Sequence, residues 1–561
     1  MAIDNSFISE QFSLLGKLMD IHGENAFKTR SYSAAAFAID KLPEQLHAFP
    51  RDRIFGIRGI GEAIGKKTIE ILETGELRLL KEYIDKTPAG VAEMLNIKGL
   101  GPKKIATVWK DMEIESIGEL LYACNENRLL LYKGFGEKSQ ANIRDTIQFY
   151  LKSKESYLYA EVEPVAKEWD QRLKDQWPDE RFESTGEFRR QLEIINLLEW
   201  VTTASQESLN DYFIQLGSWE FFPEGRKTLL RSEGNPCLCF HLVPKEEFIQ
   251  ALFRSSCSSE FLEAWDKLPS VKESSIPLAE DELFSARRLH LVPVCLREQP
   301  EAIEKARQSE FPALIRVEDI RGIVHSHSTW SDGTHSVEEM ARAAAESGYD
   351  YLVISDHSKS AFYANGLSEE RIREQHLYVD ELNSLLAPFR IFKSIECDIL
   401  NDGNLDYSDK ILSTFDLVIA SVHSNLKMNE EKAMGRLLRA IENPYTTILG
   451  HLTGRLLLSR PGYPVDHKKV IDACASNQVA IELNAHPRRL DIDWRWIPYA
   501  LEKNVLLSVD PDAHSIQGYQ DNRFGVLAAQ KGGLSSGRNL SSFTLPELKE
   551  YLANRRKIKG I

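Results

Sequence analysis

Read by the spacing of its apolar positions, the chain falls into three zones. Residues 1 to about 150 read as short amphipathic helices separated by glycine-containing turns. Residues from about 151 to 315 mix Trp-rich helical and strand-like segments with few turn dipeptides. From about 316 onward, short apolar β runs alternate with helical periodicity, the mark of a parallel α/β architecture. The helical stretches between those runs include SVEEMARAAAESGYD, SEERIREQHLYVDELNSLL and EEKAMGRLLRAIENP.

The first zone holds a degenerate internal repeat. Gly59 and Gly61 lie in FGIRGIGEAIGKKTIEIL, Gly99 and Gly101 in LNIKGLGPKKIATVW, and Gly134 and Gly136 in LYKGFGEKSQANIRDTI. Each copy runs from an apolar residue through Gly-apolar-Gly into a helix bearing cations: Lys66 and Lys67, Lys103 and Lys104, and Lys138. Glycines let the backbone turn tightly and bring its N–H groups close to a phosphate. The helix N-terminus behind them adds partial positive charge, and the lysines add full charge. This is the helix-hairpin-helix pattern, which grips nucleic-acid backbone without reading bases. One copy would be weak, but three within 80 residues make DNA contact the better reading than plain helix packing.

In the third zone, seven apolar runs end one after another in residues of metal-ligand type. GIVHSHS ends in His325 and His327, YLVISDHS in Asp356 and His357, and IFKSIECD carries Glu396. LVIASVHS ends in His423, TTILGHL in His451, VAIELNAHP in Asn484 and His486, and LLSVDPDAHS in Asp512 and His514. A barrel of parallel strands gathers its strand carboxyl ends on one face. Residues two apart on a strand point the same way, so His325 and His327 can chelate one ion together, as can Asp512 and His514. One such histidine is usually an ordinary buried side chain, but a whole series of strands ending this way is not chance. Imidazoles mixed with carboxylates suit Mn²⁺, with Zn²⁺ or Fe²⁺ as alternatives. His335, His376 and His467 fall in helical stretches and read as non-ligands, while His486 and Asp356 fit either a ligand or a supporting role. Lys359, Arg455, Arg460 and Arg488 follow the strand ends and are candidates for clamping a phosphate.

These segments resemble the PHP (polymerase and histidinol phosphatase) domain across essentially all of 316–561, most closely in GIVHSHSTWSDG, VISDHSKSAFYANGLSEERI, SIECDIL, IASVHS, LGHLTGRLL and DAHS. The resemblance implies a distorted (β/α)7 barrel with three divalent ions. By it, His325, His327, Glu396 and Asp512 hold the first ion. Glu396 bridges to a second that also takes His423 and His451, and Asp332, His357 and His514 hold the third. Leu452 departs from the proline common after the histidine.

The order of the zones resembles bacterial family X DNA polymerase. NAFKTRSYSAAAFAIDKLP is similar to its amino-terminal domain, and EDELFSARRLHLVPVCLREQPEAIEKA to the segment closing its polymerase module. The expected organisation is a helix-hairpin-helix domain over 1–80, a second such region over 81–150, a palm and thumb over 151–315, and the PHP barrel over 316–561. In the palm, the family's G-S-x-R-R motif survives as Gly186, Arg189 and Arg190, with Glu187 in place of serine. Its three metal-binding aspartates fall on Leu197, Glu199 and Cys239, and its T-G-S lies near Ser255–Cys257. A leucine cannot coordinate Mg²⁺ and a lone glutamate cannot hold two ions, so polymerase activity is expected to be absent. Lys67 falls near the position of the family's Schiff-base lysine, with Lys28 and Tyr32 as helpers. Ala63 replaces another expected lysine, so a DNA-contacting lysine is the preferred reading.

Charge and composition adjust this picture only slightly. The net charge of −15 speaks against nucleic acid, but residues 1–150 hold 20 Lys and Arg against 21 Asp and Glu. The acidity therefore lies in the remaining 411 residues, where a few carboxylates committed to metal would account for part of it. Seven cysteines without a C-x-x-C pair, no bilayer-length apolar run and no basic-then-apolar leader in MAIDNSFISEQF fit a cytoplasmic protein. The expected function is a metal-dependent DNA phosphoesterase, a 3′-5′ exonuclease or 3′-end-processing enzyme of repair acting on gapped or 3′-ended DNA. The alternatives are a small phosphate monoester hydrolase and a non-catalytic DNA-binding scaffold.

Overall fold

The computed structural model describes residues 3–40, 42, 44–57, 60–151, 156–232, 235–269 and 276–561. The chain divides into two compact units, Met1–Leu151 and Lys152–Ile561. The first is built of helices joined by short turns, with no strand among the described residues. Its core runs from Ile8, Phe12 and Leu15 of the opening helix to Ile143 and Ile147 of the closing one. In each repeat the second glycine lies just before a helix: Gly61 before Glu62–Thr74, Gly101 before Pro102–Lys110, and Gly136 before Glu137–Leu151.

The second unit begins with a five-stranded sheet. Its order is Phe182–Thr185, Leu198–Thr202, Leu238–Leu242, Lys227–Arg231 and Glu220–Glu224, with only the second and third strands parallel. Alternation puts Leu198, Trp200, Leu238 and Phe240 on one face, where they pack with Val162, Ala166 and Leu173 of the helix Tyr159–Gln176. The opposite face carries Glu199, Cys239 and His241.

Seven parallel strands follow, each beside the next in chain order: Gly322–Ser326, Tyr351–Ile354, Arg390–Asp398, Leu417–Ser421, Thr446–Leu449, Ala480–Asn484 and Leu507–Asp510. All seven coincide with the apolar runs of the sequence. Helices Val337–Glu346, Glu369–Leu385 and Glu430–Glu442 match the three helical stretches quoted above. The first and last strands meet through a parallel bridge between Ser326 and Ala513, with His327 N–H donating to the Ala513 carbonyl at 2.8 Å. This is a nearly closed (β/α)7 barrel of the PHP kind. Strands crowd at its mouth: a Cβ on Gly450, just before His451, would sit 2.2 Å from the Ser421 hydroxyl.

Charged contacts join sheet and barrel within this unit. Arg495 lies 2.9 Å from Glu193, Arg523 pairs with Glu163, and the Trp494 indole donates to Glu193 at 3.0 Å. Lys531 is fully buried and donates to Glu298 and to the Arg190 carbonyl, both at 2.8 Å. Removing one partner of a buried pair strands the other in a low dielectric. Lys531→Ala is therefore expected to destabilise the Lys152–Ile561 unit by about 3 kcal/mol, read by denaturant unfolding. An unchanged midpoint would show that Glu298 needs only Arg190.

Candidate metal centre

The strand ends converge as their order requires. His325, His327, Glu396 and Asp512 offer ligand atoms all within 4.8 Å of one another. So do His327, Asp332, His357 and His514, and likewise His357, Glu396 and His423. His451 joins through Glu396, its Nε2 2.9 Å from Oε1, the oxygen that His423 Nε2 also approaches at 2.9 Å. All nine sequence candidates thus meet in one place. Six are buried, and Asp332, His423 and His514 are partly buried.

The first strand reaches the site differently from plain alternation. His325 sits at φ +61° in a register shift between Ile323 and Ser326, and Asp512 stands at φ +52° beyond its strand end. Left-handed backbone at residues other than glycine costs on the order of 1–3 kcal/mol each and persists where surroundings over-determine it. His325 and His327 meet because the backbone bulges there, not because they lie two apart on a regular strand.

The groups around these side chains orient them. His325 Nδ1 is hydrogen-bonded to Glu482, His423 Nδ1 lies 3.0 Å from Asp398, and the Asn484 amide donates to Asp512 at 3.0 Å. A carboxylate behind an imidazole fixes the ring and raises its basicity as a ligand. Sequence reading missed Glu482 and Asp398, although each lies two residues from a noted position, Asn484 and Glu396, inside an otherwise apolar strand. Asp356 belongs to none of the ligand groups and accepts from Ser328 N–H at 2.8 Å, the Ser331 hydroxyl at 2.5 Å and Gln375 at 2.6 Å. His486 Nδ1 accepts from Arg488 N–H at 3.2 Å. His335, His376 and His467 belong to none of the ligand groups; His467 stacks on Trp496 and His376 meets Phe415 edge-on.

The electrostatics suit cations. Burial opposes charge on Glu396, yet His423, His325 and His357 hold its carboxyl well below the usual range. Burial would likewise strip the proton from His357, but Asp332 and Glu396 raise its pKa to about 10; Glu396 and Asp398 raise His423 to about 9. Burial, with His514 and His357 alongside, drives His327 down to about 3. Two buried ring nitrogens in the site, His325 Nε2 and His327 Nδ1, make no hydrogen bond, and His357 Nδ1 and Glu396 Oε2 face each other at 3.0 Å. Buried polar atoms are otherwise almost always partnered, so this donor set fits divalent cations.

Comparison with known proteins agrees at both ends of the chain. The helix-hairpin-helix domain family matches residues 3–77. "DNA polymerase/3'-5' exonuclease PolX" of Bacillus subtilis (strain 168) is 31% identical over 95% of this chain and 96% of its own length. The chain belongs to the PolX family. Its carboxy-terminal part is also similar to shorter proteins. "Probable phosphatase Teth514_1060" of Thermoanaerobacter sp. (strain X514) is 28% identical over 42% of this chain and 96% of its own length. "Probable phosphatase YcdX" of Escherichia coli O81 (strain ED1a) is 27% identical over 41% and 82%.

Around this PolX barrel the four candidate phosphate clamps have separate fates. Lys359 is exposed, its Nζ 5.0 Å from the Tyr407 ring. Arg455 is tied to Asp493 and to the carbonyls of Arg489 and Leu490, and Arg460 donates to the Gly454 carbonyl at 2.9 Å. Arg488 pairs with Glu161 of the preceding sheet region at 3.2 Å, so its charge serves the junction between sheet and barrel. A buried cation that sequence reading missed, Arg489, lies 3.7 Å from Asp512.

In the first unit, Gly59 lies outside the described residues. Gly99 and Gly134 have the positive φ of a tight turn, +91° and +101°. A Cβ on Gly61, Gly101 or Gly136 would meet nothing, so these helix N-termini are open. Lys103 and Lys138 are exposed, and Lys66 pairs with Glu62 at 2.8 Å. Lys104 reaches across to the Ser139 hydroxyl at 2.8 Å, joining the second and third hairpins. Lys67 is half-buried; of its proposed helpers, Lys28 faces Glu24 and the Tyr32 ring lies in the core.

The raised pKa values of His357 and His423 make cation uptake a proton-releasing event. Both rings are protonated at neutral pH in ion-free protein, and a cation must displace those protons. Affinity for Mn²⁺ is therefore expected to rise with pH towards about 9–10 and level off above. Titration calorimetry in buffers of differing ionisation enthalpy reads the protons released. No release at pH 7 would contradict these charge states.

Proposed function

We propose that this chain is a metal-dependent phosphoesterase that shortens DNA from its 3′ end, and that its polymerase module no longer extends DNA. The observation that carries the hydrolytic reading is the convergence of six imidazoles and three carboxylates with buried, unpartnered donor atoms. His325, His327, Glu396 and Asp512 would hold one ion. Glu396, His423 and His451 would hold a second, and Asp332, His357 and His514 a third, with Mn²⁺ favoured over Zn²⁺ and Fe²⁺. When bound, such ions supply Lewis acidity for phosphoester hydrolysis. The protein's own contribution is to hold the ligands ready: Glu482 fixes His325, Asp398 fixes His423, and Asn484 holds Asp512. Exposed Lys359 stands two residues beyond His357, where a phosphate entering the mouth could meet its charge.

DNA as substrate is supported by the hairpins and by the activities printed in the Bacillus subtilis relative's name. In this reading the amides at Gly59, Gly61, Gly99, Gly101, Gly134 and Gly136, with Lys66, Lys67, Lys103, Lys104 and Lys138, hold the phosphate backbone. The four-part organisation expected from sequence, 1–80, 81–150, 151–315 and 316–561, is the division of labour we propose. Loss of synthesis is supported by the sheet: Glu199 faces Cys239 in register, and Arg189 and Arg190 are engaged with Glu280 and Glu298. A second reading, hydrolysis of a small phosphate monoester, is favoured by the relatives named as phosphatases that match the barrel region alone.

Purified protein with Mn²⁺ and a 5′-labelled gapped duplex separates these readings. The wild type is expected to shorten the 3′ end stepwise. His325→Ala with His327→Ala should slow shortening at least about 100-fold while sparing DNA binding. Adding dNTPs and Mg²⁺ should give no extension. Extension would overturn the reading of the palm. Intact DNA with phosphate released from small esters would move the barrel to the second reading.

A further inference from the structure

We propose that the middle sheet carries a second metal site, for a single thiophilic divalent cation such as Zn²⁺, held by Glu199, Cys239 and His241. The three side chains come from the two central strands of the five-stranded sheet. Glu199 and Cys239 are direct partners in the parallel register, and His241 follows Cys239 by two residues on the same face. His241 Nε2 lies 2.8 Å from Glu199 Oε2, and ligand atoms of all three residues fall within 4.8 Å of one another. Tetrahedral Zn²⁺ with bonds of about 2.0–2.3 Å sets its ligands about 3.3–3.8 Å apart, and the separations here, from 2.8 Å up to at most 4.8 Å, bracket that spacing.

The surroundings favour a bound ion over a chance cluster. Cys239 is 2% exposed and forms the floor, while the Glu199 and His241 side chains, 16% and 13% exposed, form a rim open to solvent. Solvent that reaches this partly exposed rim can supply a fourth ligand. Gly186, at φ +65°, leaves room for the carboxylate: a Cβ there would stand 2.0 Å from Glu199 Oε1. The donor set selects the ion, because a thiolate with an imidazole suits Zn²⁺ or Co²⁺ and not Mg²⁺, which requires oxygen. Burial, with Glu199 beside it, pushes the Cys239 thiol up to about 12. Binding therefore replaces the S–H proton by an S–metal bond and releases that proton to solvent. The ion would cross-link the two central strands where the polymerase resemblance calls for Mg²⁺-binding aspartates.

Sulfur makes the site separable from the barrel, whose candidate ligands are all nitrogen and oxygen donors. Co²⁺ added to the full-length protein is expected to give a near-ultraviolet sulfur-to-cobalt charge-transfer band that saturates with one ion and resists excess Mg²⁺. The band should vanish in Cys239→Ser, persist in Cys237→Ser, and require at least tenfold more Co²⁺ in His241→Ala. It should be unchanged in His423→Ala, which alters only the barrel. No band from wild type, or an undiminished band in Cys239→Ser, would overturn the proposal. Should Cys239→Ser fail to fold, the partly exposed His241 decides the matter: an unchanged titration in His241→Ala would also overturn it.

Discussion

Glu396 faces five imidazoles, with His325, His327, His357, His423 and His451 all within 3.6 Å of its oxygens. Burying that carboxylate with two more and six histidines is affordable only if charge balances charge. Much of the barrel follows from this constraint. Strand ends must arrive in one place, so seven parallel strands close through Ser326 and Ala513. The backbone bends to left-handed φ at His325 and Asp512 to bring two ligands inward. Interior positions that a packed barrel would fill with aliphatic groups hold Glu482, Asp398 and Asn484 instead, each bonded to a ligand.

The five-stranded sheet has followed another course. Its apolar face is intact, with Trp200 stacked on Phe240 over Phe213. The arginine pair now anchors the region around Glu280 and Glu298. Lys531, paired with Glu298, and Arg495, paired with Glu193, tie that region to the barrel.

The barrel was legible in the sequence because strand ends are where ligands must lie. Seven apolar runs, each closed by His, Asp or Glu, mark every strand and eight of the nine converging side chains; the ninth, Asp332, lies in the loop after the first run and was implied only by the family resemblance. The orienting residues were less visible, since Glu482 and Asp398 carry no signal except a charge at an inward position of an apolar strand. The bulge at His325 was invisible: period-two alternation gave the right neighbours by the wrong geometry. Arg455, Arg460 and Arg488 illustrate a different limit. A cation after a strand end looks alike whether it meets a phosphate or a carbonyl, and the partners of Arg488 and Arg455, Glu161 and Asp493, lie 327 and 38 positions away. The hairpins read correctly as glycine turns before helices, but which lysines are free for phosphate depends on contacts such as Lys104 with Ser139.

The central claim is that the nine side chains at the barrel mouth form one multinuclear metal centre. Anomalous diffraction at the manganese edge, from crystals of the full chain grown with Mn²⁺, examines it most directly. Three anomalous peaks are expected, all enclosed by those nine residues, with Glu396 touching two of them. A barrel mouth without peaks, or a single peak that leaves Glu396 uncoordinated, would contradict it.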